Sequence, residues 1–364
     1  MDEIQHVNTI VIGGGQAGLV IGYELQQQHV DFVILDASER VGDAWRKRWD
    51  SLVLFTPARF NGLPGMPYPA PDENYVTKDD VADFLEKYAT ANELPVRSGV
   101  WVDRVAHDGR QFNVETSTGS MSADNVVIAM ADYQVPKVPA FGSSLRNDIV
   151  QIHSSHYRNL SQLRNGPTLV VGFGNSGADI GLEVALDRET YISGETDAVV
   201  PFHLESWFGR KIGVPLVRFA MVKVLNTSTP IGRKVRPKML TGTPPLVRVK
   251  PKDLTDAGAT RVPRIGGVRD GLPETSDGET LDVANVIWCT GFEAGFSWID
   301  MPVFDDRGLP RHERGVVDDQ PGLYFCGLYF LHALWSETIT GVPTDARYVV
   351  NHLVSRERET QPVG

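Results

Sequence analysis

Residues 7–38 read VNTIVIGGGQAGLVIGYELQQQHVDFVILDAS, and this stretch decides the fold. An apolar run, Val7 to Ile12, ends in three glycines. A helical pattern follows from Gln16 to Gln28, and a second apolar run, Phe32 to Leu35, closes on Asp36. Strand, glycine turn, helix and strand in about 30 residues form the βαβ unit of a dinucleotide fold. Within it Gly13, Gly15 and Gly18 hold the G-x-G-x-x-G spacing, with Gln16 and Ala17 in the gap. The first glycine makes a tight turn, the second admits a pyrophosphate to the backbone, and the third lets helix and strand pack closely. Asp36, followed by Ala37, stands where a carboxylate accepts hydrogen bonds from a ribose.

The pattern restarts about 160 residues further on. Thr168 to Val171 reads as a strand and Gly172, Gly174 and Gly177 repeat the glycine spacing, with Asn175 and Ser176 between the last two. A helix is expected to about Leu186 and a strand over Thr190 to Ser193, with Glu195 where the first unit has Asp36. Two dinucleotide sites in one chain mean two dinucleotides, and the chemically useful pair is a flavin with its hydride donor. Elsewhere the spacing predicts a helix over 78–92, with Thr77 as N-cap and Asp80 completing a capping box. Asn125 to Ala129 reads as a buried strand, and the proline-rich stretch 135–147 as a linker. A helical stretch is expected from Pro215 to Leu225, strands over 285–289 and 323–326, and a closing helix from about Asp345 to Val354.

The chain has 364 residues and a net charge of −11, a balance that argues against nucleic-acid or anionic-membrane partners and favours small-molecule work. The basic residues between Arg233 and Arg269 lack interleaved aromatics for stacking on bases. The two cysteines, Cys289 and Cys326, sit in apolar runs, and no C-x-x-C or metal-ligand spacing occurs, so no metal site is expected. No apolar run approaches the ~20 residues that span a bilayer, and the acidic N-terminus lacks signal-peptide character. The expected compartment is the cytoplasm.

Further stretches carry a family resemblance: VGDAWRKRWDSLVLFTP at 41–57, LPGMPYP at 63–69, IHSSHYRN at 152–159, VVGFGNSGADI at 170–180, VIWCTGF at 286–292 and PGLYFCGL at 321–328. With VIGGGQAGL at 11–19, the ordered set resembles the flavin-containing monooxygenases, in particular their bacterial and YUCCA-like branch. The resemblance implies two Rossmann-like α/β domains, the FAD domain discontinuous and the nicotinamide domain inserted. The boundaries expected are 1–160 and 285–355 for the FAD domain, 161–284 for the NAD(P) domain and 356–364 for a disordered tail. It also implies FAD at the first glycine turn and NADH or NADPH at the second. The same resemblance implies that hydride would pass to the flavin and that a C4a-(hydro)peroxide would then deliver one atom of O2 to a small molecule. Trp45, Gly291 and Gly327 lie in motifs that the resemblance sets near the cofactors. Thr56 and Asn61 fall in the stretch passing the flavin ring, where a polar side chain is a catalytic candidate. His153 is a third candidate, orienting nicotinamide or linker, and Leu331 to Thr340 is the expected substrate wall.

Three departures from the family pattern matter. Ala129-Met130-Ala131 replaces the usual Ala-Thr-Gly. Of the signature F-x-G-x-x-x-H-x-x-x-aromatic only His153 and Tyr157 remain, with Asn147 and Ile149 at the Phe and Gly positions. Glu195 stands where relatives often carry Arg, and a carboxylate there repels a 2′-phosphate, which predicts NADH preference; the alternatives are that Arg210, Lys211, Arg233 or Lys234 folds back onto a phosphate, or that Glu195 is an exposed acid touching nothing. The rival functions are a flavin oxidase or reductase that inserts no oxygen and a flavin-binding protein without turnover. A homodimer remains an open assembly.

Overall fold

The computed structural model describes residues 5–196 and 198–360. Two mainly parallel sheets organise the chain. In the first, strands Val96–Ser98, Phe32–Asp36, Gln5–Ile12 and Gly119–Ile128 lie side by side in parallel. The long strand Gly119–Ile128 then serves two neighbours. Its first half pairs antiparallel with Phe112–Thr116, and its second half pairs parallel with Leu323–Phe325 from the far end of the chain. The first domain is therefore discontinuous.

Its central strands are apolar on both faces because both faces are covered. Val11, Ile34, Val127 and Tyr324 pack under the helix Gln16–Gln27 and the closing helix Val342–Thr360. Ile10, Ile12, Val33, Leu35 and Phe325 fill the opposite side. The helix Lys78–Ala91 closes its N-terminus with the expected capping box. The Asp80 amide donates to Thr77 Oγ1 at 3.2 Å, and the Thr77 amide donates to Asp80 Oδ2 at 2.8 Å.

The second sheet is wholly parallel, in the order Val150–His153, Asn285–Trp288, Thr168–Val171, Thr190–Ser193, Thr260–Val262. This corrects both expected domain boundaries. The expected boundaries place Val150–His153 in 1–160 and Asn285–Trp288 in 285–355, yet each pairs inside the inserted domain. The chain leaves the first domain after Ala129 and returns after Trp288. On these two crossings Val135–Pro136 and Phe292–Glu293 form a short antiparallel pair.

The tail also differs from expectation. The closing helix runs to Thr360, because Arg356 donates to Asn125 Oδ1 at 2.5 Å and Glu357 accepts from Asn8 and Asn125 at 2.8 and 2.7 Å. These bonds fix the helix end to two central strands; residues 361–364 lie outside the described chain. The stretch 209–224 is helical, with α-helix Val214–Phe219 set between wider π turns, and a second basic helix spans Pro230–Thr241.

Candidate active site

The two glycine turns share one geometry. Gly13 and Gly172 both have φ +108°, a region open to glycine and strained for other residues. A Cβ at Gly13 would lie 2.9 Å from the Ala129 carbonyl, and one at Gly172 2.2 Å from that of Cys289. Gly18 and Gly177 sit on the carbonyls of Gly13 and Gly172, where a Cβ would come within 1.8 and 2.0 Å. The middle glycines face room instead. A Cβ on Gly15 meets nothing within 4 Å, and on Gly174 only Thr243 at 3.7 Å. Both middle glycines are N-caps without a side-chain bond, so first-turn N–H groups stay available. Each turn thus has the space and the donors that a pyrophosphate requires.

Beside the first turn, the Asp36 carboxylate accepts from the Gly14 amide and, at 2.6 Å, from the Ser38 amide, with Ala37 exposed next to it. Beside the second turn, Glu195 is exposed. Arg261 reaches across from the neighbouring strand, stacks 3.9 Å over the Phe173 ring and donates to the Gly194 carbonyl. Burial depresses its guanidinium, and Glu195 opposes that shift. Asn175 is tied to the backbone: its amide donates to Pro245 O at 3.1 Å and its oxygen accepts from the Val247 amide at 2.9 Å. Ser176 is half-buried beside it.

The remaining candidates divide by position. Trp45 donates to Gln16 Oε1 at 3.2 Å, and Gln16 Nε2 donates to the Glu337 carbonyl at 3.2 Å. Gly327 backs Ala17, 2.9 Å from where its Cβ would stand. These contacts link the first turn to the segment after the last strand. Thr56 and Asn61 are buried and bonded to each other, Thr56 Oγ1 donating to Asn61 Oδ1 at 2.5 Å and Asn61 Nδ2 to Thr56 O at 3.0 Å. His153 lies apart from them. Its Nε2 is 3.0 Å from the Gly291 carbonyl and its Nδ1 2.8 Å from Ser155 Oγ, on the crossing between domains. Burial lowers its pKa, so the ring is neutral at pH 7. The basic run 46–48 is divided: Arg46 is engaged by Asp43, Asp83 and Glu86, while burial and Arg158 depress Arg48.

A cluster of buried polar groups escaped the motif reading. The Tyr329 amide donates to Asp132 Oδ1 at 3.3 Å. Glu337 Oε2 and Tyr329 Oη are buried without a hydrogen-bond partner among the described residues. Burial pushes the Glu337 carboxyl up to about 8, with Asp132 adding to the shift, and raises Asp132 and Tyr133 as well. The only sequence signal was a pair of acids, Asp132 and Glu337, inside otherwise aromatic and apolar stretches. Phe55 and Trp335, with ring centroids 5.3 Å apart, add an apolar wall against the helices 214–224.

Comparison with known proteins agrees with this arrangement. Residues 10–192 match the family of pyridine nucleotide-disulphide oxidoreductases. An uncharacterized CzcO-like oxidoreductase of Geobacillus kaustophilus is 39% identical over 97% of this chain and all of its own. A probable indole-3-pyruvate monooxygenase, YUCCA9 of Arabidopsis thaliana, is 26% identical over 87% of this chain and 83% of its own. Among solved structures, a flavin-containing monooxygenase from Stenotrophomonas maltophilia superposes with a TM-score of 0.75 at 26% identity, covering 97% and 99% of the two chains. The chain belongs to the pyridine nucleotide-disulphide oxidoreductase family, in its flavin-containing-monooxygenase-like branch, and is a flavin-dependent oxidoreductase that uses a nicotinamide cofactor.

Proposed function

We propose that the protein is an NAD(P)H-dependent monooxygenase that holds FAD at Gly13–Gly18 and its hydride donor at Gly172–Gly177, and oxygenates a small molecule. The observation that carries the reading is the doubled glycine turn, one in each of two sheets joined by paired crossings. A flavin held at Gly13–Gly18 would supply the redox chemistry between the nicotinamide and O2. The protein binds both pyrophosphates at helix N-termini, fixes the wall of the site through Trp45, Gln16 and Glu337, and excludes water with Phe55 and Trp335. Thr56 and Asn61 present a preorganised polar pair. The second amide N–H of Asn61 is the donor we assign toward the reacting oxygen.

A thiol relay has no support. The two cysteines are free, follow strands of different sheets, and are pushed up by burial, Cys289 to about 12. Electrons on the flavin therefore have a small-molecule outlet. The test is stoichiometry under 18O2 across a substrate panel of small nucleophiles and carbonyl compounds. Labelled product formed in step with NAD(P)H consumption supports oxygenation; peroxide alone throughout the panel favours the oxidase.

For the donor we propose NADH over NADPH on account of Glu195. Arg261 tempers this, because its guanidinium offsets the repulsion of a 2′-phosphate. Glu195→Arg then raises the NADPH/NADH ratio of kcat/KM about tenfold, a change of ~1.4 kcal/mol. An unmoved ratio removes Glu195 from ribose recognition.

A further inference from the structure

The helices between Pro201 and Lys250 are apolar on two sides. Inward, Val214, Val217 and Val222 pack toward Phe55, Phe60 and Trp335. Outward, Phe208, Ile212, Leu216 and Phe219 recur at helical spacing and are 48%, 46%, 63% and 57% exposed, with Trp207 beside them at 73%. Isolated exposed apolar residues need no explanation, but a stripe of five does.

Charge separates the stripe from the rest of the molecule. The stretch 201–250 holds ten Lys and Arg against one acid, Glu205, in a chain of net charge −11. Its ion pairs are Lys211–Glu73 and Arg248–Asp179. Lys223, Arg233, Lys234 and Lys238 are exposed, and among the described residues they form none. Over distances beyond about 8–10 Å such charges are screened, so the local excess, and not the acidic total, decides what meets this face.

We propose that this face docks peripherally on an anionic lipid surface. Phe208, Ile212, Leu216 and Phe219 enter the headgroup boundary, Trp207 sits at the interface, and Lys223, Lys234 and Lys238 meet lipid phosphates. A second copy of the chain fits less well. A two-fold contact sets the same cationic patch against itself, and like charges then oppose the apolar gain.

The test is flotation of the purified, flavin-loaded protein with vesicles of phosphatidylcholine, or of phosphatidylcholine mixed with phosphatidylglycerol. The expected result is flotation with the phosphatidylglycerol vesicles, at least about tenfold tighter than with phosphatidylcholine alone and lost at high salt. Leu216→Ser with Phe219→Ser, and separately Lys223→Glu with Lys234→Glu and Lys238→Glu, each weaken binding about tenfold while flavin content reports an intact fold. Failure of the wild type to float with anionic vesicles overturns the proposal. So does binding that ignores both sets of substitutions, or a wild-type dimer in solution that dissociates on Leu216→Ser with Phe219→Ser.

Discussion

The three glycines of each turn do different jobs, and single methyl groups separate them. Gly18→Ala places a Cβ 1.8 Å from the Gly13 carbonyl, so strand and helix must part; we expect a loss of 1–3 kcal/mol or more and poor flavin retention. Gly15→Ala meets nothing within 4 Å, so the flavin-free protein keeps its Tm while the new methyl group intrudes on the pyrophosphate. Flavin content after gel filtration, read beside the apoprotein melting curve, distinguishes the two. A Gly15→Ala protein that stays fully yellow removes that position from the cofactor site. Glu337 allows a test by pH. Its folded pKa of about 8 lies above the ordinary 4.5, so the native state binds the extra proton between those values. Stability from this group is whole below about pH 4.5 and is lost as pH rises through 8, by at most about 1.4 kcal/mol per unit. Asp345, pushed up to about 6, adds to the same slope at its lower end. Glu337→Gln removes its share, so the variant's Tm falls less than the wild type's between about pH 5 and about pH 8. Parallel curves would mean that Glu337 is ionised in the folded protein.

At the scale of elements, the helix Asn175–Ala185 depends on a bond its sequence motif does not announce. Asn175 lies between two fingerprint glycines and reads as a cofactor ligand, yet both ends of its amide hold the backbone at Pro245 and Val247. It fastens the exit of the basic helix Pro230–Thr241 to the second dinucleotide turn. Asn175→Ala leaves two backbone groups without their partner and is expected to cost about 1–3 kcal/mol. KM for the nicotinamide donor rises with it and flavin content is unchanged; a KM equal to wild type would limit Asn175 to folding. What was legible in advance follows the range of the rule involved. The Thr77–Asp80 capping box and the packing of Gly18 on Gly13 and Gly177 on Gly172 are contacts within a few residues and are legible in the spacing, whereas the distant carbonyls of Ala129 and Cys289 that press on Gly13 and Gly172 are not. The strands Val150–His153 and Asn285–Trp288 join the inserted sheet, which the sequence does not reveal, because a short buried apolar run does not say which sheet it joins. The helices of 209–241 were only partly visible, since Pro215, Pro230, Pro237 and the π turns interrupt the period and distant Phe55 and Trp335 complete the packing. Asp132 and Glu337 are separated in sequence by the inserted domain and come near each other because Leu323–Phe325 returns to pair with Gly119–Ile128.

For the whole molecule the issue is how two domains that fold around separate sheets keep two cofactors in register. Hydride transfer requires reacting atoms about 3–3.5 Å apart, and a misplacement of 1 Å costs about a hundredfold. Among the described residues the chain crosses between the domains twice, and the two crossings are fastened to each other. Phe292 faces Pro136 in the antiparallel pair, the Lys137 amide donates to Gly291 O at 3.0 Å, and Thr290 Oγ1 donates to Lys137 O. His153, from the edge strand of the inserted sheet, bonds the same Gly291 carbonyl, while Phe292 packs edge-on against its ring at 5.0 Å. We propose that His153 and Thr290 act as positioning residues; neither is hydrogen-bonded to the Thr56–Asn61 pair. Thr290→Ala combined with His153→Ala leaves both glycine turns and both sheets in place, so flavin content stays near wild type, while the lost bonds to Gly291 O and Lys137 O lower Tm. The rate of flavin reduction at saturating NADH or NADPH falls about tenfold to a hundredfold, because saturation restores occupancy but not alignment. A defect that saturating donor fully repairs would place these residues in binding. An unchanged rate would mean that the interface between the domains, and not the fastened crossings, holds the two cofactors in line.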